Sequence, residues 1–170
     1  IEKRVMTQKE IKKFYDTHYR RLFNASYRIV GNGADAEEIM HDTLLRFLEM
    51  ENPPKEPAQI SAWLIRTCIR RSIDRLRVIK REQIFKESYE EPESLSAKES
   101  AEVAISTKEE VKRVKEALET MKDPYRLVLT LSLFEGMDYQ EISQITGQKE
   151  VTIRSQVSRG KAMLLKILEK

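Results

Sequence analysis

Trp63, Arg66, Arg70, Arg77 and Arg81 are the residues whose types and spacing first suggest chemistry. At about 100° per residue they fall within roughly 60° of one another on a helix, opposite a stripe of isoleucines. A tryptophan among arginines joins a stacking surface to cationic groups, a combination suited to single-stranded or melted nucleic acid. The same residues admit a plainer reading, with Trp63 buried in a core and the arginines merely solvated. A second set lies near the end of the chain. Arg154, Ser158 and Lys161 share one helix face with Ser155 beside them, and Thr152 and Arg159 lie close by. Arginine and hydroxyl side chains at the start of such a helix reach base edges, whereas Arg159 and Lys161 are better placed for phosphates.

Other chemistries find little support in these residues. The two histidines are His18 and His41. Glu37 and His41 make an i, i+4 pair, but two ligands do not build a zinc site, so no metal is expected. The lone Cys68 cannot form an internal disulfide, which fits a reducing cytoplasm, and a core role for it is favoured over a nucleophile. There is no glycine-rich phosphate loop, and no cofactor, small-molecule substrate or catalytic residue is expected. No apolar run reaches the ~20 residues that a bilayer demands, and no segment reads as a secretory signal.

The elements that must position these residues read as helices. With 170 residues, 35% charged, 5 Gly and 5 Pro, the chain lacks the turn signals of a β-sandwich. Ile11, Tyr15, His18, Leu22 and Ile29 predict a first helix that stops at Gly31-Asn32-Gly33. Asp35 is expected to cap a second, carrying Ile39, Met40, Thr43, Phe47 and Met50. Pro53, Pro54 and Pro57 break the chain before a third helix over about 61–81, with Ile65, Ile69, Ile73 (or Ser72) and Leu76 inward. Residues 82–107 read as a flexible acidic linker. Beyond it, Asp138 with Glu141 predicts a capped short helix ending at Gly147. A second helix over about 150–168 follows, with Gly160 in its inward stripe. That pair matches a helix-turn-helix, although a simple αα-hairpin has the same outline. The expected fold is all-α: two small helical domains, 5–81 and 108–170, joined by 82–107.

Charge is sorted along this plan. The 31 basic and 28 acidic residues leave a net of only +3. Residues 34–51 carry a net of −5, 61–81 of +6, 82–110 of −6 and 149–170 of +4. Two basic blocks separated by an acidic one suggest two contacts with a polyanion.

At these residues the chain resembles the extracytoplasmic-function group of the bacterial sigma-70 family. The run 35–46, Asp-Ala-Glu-Glu-Ile-Met-His-Asp-Thr-Leu-Leu-Arg, looks like region 2.2. The runs 63–66 and 73–77 are similar to regions 2.3 and 2.4, and 139–147 with 152–161 looks like region 4.2. The resemblance implies a non-enzymatic subunit that directs RNA polymerase to promoters. It implies that Glu37, Glu38, His41, Asp42 and Arg46 dock on the clamp helices of the largest polymerase subunit. It implies that Trp63, Arg66, Arg70, Asp74, Arg77 and Arg81 open and hold the −10 element. The helix-turn-helix, through Thr152, Arg154, Ser155, Ser158, Arg159 and Lys161, would read the −35 element and touch the flap. An anti-sigma factor is a further implied partner. The sequence departs from the family pattern at His41, Arg70, Gln148, Val151 and Gln156. A helix-turn-helix regulator acting without polymerase, or a helical adaptor, are the competing classes; the first leaves the Trp-Arg helix and the acidic helix unexplained.

Overall fold

A computed structural model of the chain describes residues 5–86 and 107–170. The described chain divides into two compact units, one ending with the third helix and one containing the rest. All regular elements among the described residues are helical. In the first unit they are α1 (Gln8–Val30), α2 (Gly33–Glu49) and α3 (Pro57–Lys86).

α1 begins at Thr7, whose side chain accepts from the Glu10 N–H, and ends at Gly31 in the left-handed conformation at φ 79°. Glycine adopts that conformation without a Cβ penalty, so the chain reverses there into α2. The α2 cap is Asn32, not Asp35: its side-chain oxygen accepts from the Asp35 N–H at 2.8 Å. The helix starts three residues earlier than expected, and Asp35 inside it is available to a neighbouring helix. α3 likewise starts early, at Pro57. A proline at the first helical position has no N–H to leave unpaired and presets φ, so the residue taken as a breaker is a start. α3 also runs on to Lys86, through Lys80, Arg81, Glu82 and Gln83, which are good helix formers without an apolar stripe. Of the expected linker, 82–86 are therefore helical and 87–106 lie outside the described residues.

The three helices pack on one another around Leu22, Ile29, Ile39, Leu44, Leu64, Ile69 and Ile73, each at most 4% exposed. Each such side chain contributes about 1.5–3 kcal/mol by leaving water. Ile11, expected inward, is 40% exposed, and the packed part of α1 begins at Phe14. Ile65 is half-buried, and Leu64 and Cys68 take the deeper places in α3. Polar atoms in this core are partnered. The Ser72 hydroxyl lies 2.7 Å from both Ser26 Oγ and the Cys68 carbonyl, and Cys68 Sγ donates to the Leu22 carbonyl. Cys68 is thus a packed core thiol.

The second unit contains α4 (Lys108–Thr120), α5 (Tyr125–Leu129) running into a π-helical turn (Thr130–Phe134), α6 (Tyr139–Thr146) and α7 (Glu150–Leu168). α7 packs against α4, α5 and α6. Gly160 lies in the stripe of Ile153, Val157 and Leu164, all buried. A Cβ there would come within 3.1 Å of two Leu129 side-chain carbons, so the missing side chain is what lets α7 and α5 approach. α6 carries the expected capping box between Asp138 and Glu141 and ends at Gly147, φ 76°. The turn into α7 is fixed by Ser143 Oγ donating to the Gln148 carbonyl at 2.6 Å. No helix of the described residues is long and apolar enough to cross a membrane.

Candidate nucleic-acid interface

The basic residues of α3 divide into two sets with different partners. Arg71 pairs with Asp42 of α2. Arg75 bridges Asp35 at 2.6 Å and Glu38 at 3.3 Å. Hydrogen bonding to Glu38 is the largest influence raising the Arg75 pKa above its ordinary value, with both carboxylates adding charge attraction. Asp35 makes the shorter contact and its side chain is 25% exposed against 67% for Glu38. Less water competes at Asp35, so it is the firmer anchor. These pairs clamp α3 to α2 and neutralise part of both charge blocks.

The second set points elsewhere. Arg66, Arg70, Arg77 and Arg81 are all exposed. Asp74 lies among them, 3.4 Å from Arg77, and the Arg81 Nε–H donates to the Arg77 carbonyl. The ridge keeps a net positive charge, with one carboxylate interleaved. Trp63 at its start combines both readings of that residue. Its ring is half-buried and tilts against Phe47 at 5.7 Å, while Phe47 stacks on Phe14 at 5.1 Å. Phe14 in turn meets His18 edge-on at 5.0 Å, and burial pushes the His18 pKa down. An aromatic row thus runs through the three helices and holds the indole at the edge of the arginine ridge.

The outer side of α2 presents Glu37 and Arg46, both exposed. Arg46 lies 3.8 Å from Asp42. His41 is half-buried, its Nε2 3.2 Å from the Tyr15 hydroxyl. Glu38 and Asp42 face this side too, but each is also held by an arginine of α3. Leu45, 56% exposed, sits in the middle of this polar face. The residue pattern had not singled it out, although its position between His41 and Glu49 on an otherwise polar arc was the available signal. Among the described residues no three His, Cys, Asp or Glu side chains gather as metal ligands would.

In the second unit, Thr152 and Arg154 are exposed on the first turns of α7, and the Arg154 guanidinium lies over the Tyr139 ring of α6 at 5.6 Å. That contact holds the arginine against the short helix. Ser155, Ser158, Arg159 and Lys161 are half-buried. Arg159 is more enclosed than a simple phosphate contact: its Nε is buried without a hydrogen-bond partner. The six residues therefore share α7 but differ in reach, with Thr152 and Arg154 foremost. Val151, at 79% exposure, projects beside them.

Residues 14–82 match the family model for sigma-70 region 2, and 112–164 that for sigma-70 region 4. The chain is 28% identical over 156 residues to the ECF RNA polymerase sigma factor SigE of Mycolicibacterium smegmatis, covering 90% of this chain and 59% of that protein. It is 24% identical to the ECF sigma factor SigW of Bacillus subtilis, covering 99% of this chain and 96% of that one. The fold resembles that of RpoE from Bartonella quintana, solved with the anti-sigma factor NepR, at a TM-score of 0.58 and 20% identity over 95% of this chain and 98% of that one. It also resembles CnrH, solved with the cytosolic domain of CnrY, at a TM-score of 0.50 and 18% identity over 96% and 90% of the two chains. With both regions matched in order on two helical units, the chain belongs to the sigma-70 family and is an RNA polymerase sigma factor of the extracytoplasmic-function type.

Proposed function

We propose a division of labour among the helices for directing polymerase to promoters. The outer ridge of α3, with Trp63, Arg66, Arg70, Asp74, Arg77 and Arg81, engages the −10 element as its strands separate. The outer face of α2, with Glu37, Glu38, His41, Asp42 and Arg46 and with Leu45 at its centre, docks on the clamp helices of the largest polymerase subunit. α6 and α7 read the −35 element as duplex and meet the flap. The observation that carries this reading is the division of the α3 arginines: Arg71 and Arg75 brace the fold, and the remaining ridge faces solvent beside an anchored indole. Bases stacking on an aromatic edge while arginines follow the backbone is the physics of single-strand capture.

Two contacts on one polymerase act at high effective concentration, so each can be weak alone. The RpoE complex with NepR and the CnrH complex with CnrY favour an anti-sigma factor as a further partner. The place of action is the bacterial cytoplasm, with the polymerase. Permanganate footprinting of open complexes tests the α3 assignment. Holoenzyme carrying Arg66→Ala, Arg70→Ala and Arg77→Ala together should bind core normally and lose reactivity of unpaired thymines around −10. Undiminished reactivity contradicts the assignment.

A further inference from the structure

Val151 is the most exposed large apolar side chain that the second unit presents among the described residues, at 79%. It stands on the first turn of α7, which begins at Glu150. At about 100° per residue it lies roughly 30° from the pole opposite the buried stripe of Ile153, Val157, Gly160 and Leu164. Ser155 and Ser158 continue the same outer ridge, and the longer Arg154 and Arg159 flank it. Nothing in the fold calls for valine here. It packs on little, and a β-branched residue is a poorer helix former than alanine. Exposed Glu150 beside it disfavours a phosphate neighbour, so this tip of the helix suits base edges rather than the strand backbone.

The apolar group that the major groove projects toward a reader is the thymine C5-methyl; the other distinguishing base-edge groups are donors or acceptors that a valine would leave unpaired. We infer that Val151 is a specificity-determining residue that packs on a thymine methyl in the −35 element. The inference rests on the reading of α7 as the duplex-reading helix. Val151 selects thymine at one position, and the short ridge behind it lets α7 sit deep enough for Ser155 to meet the neighbouring base pair.

The test uses core polymerase loaded with the full chain. The tightest promoter recovered from sheared genomic DNA is remade with deoxyuridine in place of each −35 thymine in turn, which removes the methyl alone. One substitution should weaken binding about fourfold, the factor that roughly 0.8 kcal/mol for one methyl-sized group implies. The same substitution should leave Val151→Ala unaffected, whereas Val151→Ile should retain the effect. The exposed position makes both variants compatible with folding. A uridine effect equal in wild type and Val151→Ala, or none at any position although exchanging the whole −35 element abolishes binding, overturns the inference. Binding that survives exchange of the whole element overturns the duplex-reading assignment of α7 instead.

Discussion

Arg75→Ala should destabilise the first unit by an amount the geometry bounds. Arg75 hydrogen-bonds Asp35 at 2.6 Å and Glu38 at 3.3 Å, with its side chain 33% exposed. A charge-assisted hydrogen bond contributes about 1.5–3 kcal/mol. The exposed Glu38 pair adds about 0.2–1 kcal/mol. Truncation leaves Asp35 with the Asn32 amide at 2.6 Å, which limits the penalty to about 2 kcal/mol by the same scale. Trp63 is the single tryptophan and packs on Phe47, so its fluorescence reports the first unit. With a urea m-value of about 1 kcal/mol/M for a unit of this size, the midpoint should fall by roughly 1–2 M. Exposed Arg70→Ala should move it by less than about 0.5 M. Arg75→Lys should fall between, because it keeps the charge and loses the planar fork. An Arg75→Ala shift below about 0.5 M, or an equal shift in Arg70→Ala, refutes the division of α3 into bracing and outward arginines.

Gly160→Val should cost about 1–3 kcal/mol by forcing α7 from Leu129; the circular-dichroism melt should shift while the Trp63 transition stays in place. His18 has a pKa lowered by burial from its ordinary 6.5. The unfolded chain therefore binds more protons in the window below 6.5, and stability present above that value is lost as pH falls towards the folded pKa. Trp63-monitored urea midpoints should decline from pH 7.5 to 5.5, less steeply in His18→Gln; equal slopes contradict the assignment. Leu45→Ser should weaken core binding in a titration with labelled polymerase and leave the urea midpoint within about 0.5 M of wild type.

The parts of the fold legible from the residues were those governed by local rules. Asp138, Glu141 and Gly147 bound α6 as their chemistry requires, and Gly160 marks close helix approach because only a missing side chain fits beside Leu129. Less legible were features decided by a distant partner. Asp35 looks like a cap by type, yet Asn32 is nearer the turn and Arg75, forty residues on, holds the carboxylate. The arginines of α3 share a composition, and only packing against α2 separates Arg71 and Arg75 from the outer ridge. Pro57 shows a residue whose meaning depends on position: breaker inside a helix, starter at its first residue. At α7, helical periodicity puts the polar residues together, but Ser155, Ser158, Arg159 and Lys161 are half-buried, which leaves Thr152, Arg154 and Val151 foremost.

Promoter-directed transcription with purified core polymerase tests the central claim most directly. Core alone should give no discrete starts on a genomic promoter library, and core with this chain should give a defined set sharing −10 and −35 elements. No discrete start at any promoter, with the chain shown to be folded by its Trp63 transition, contradicts the account.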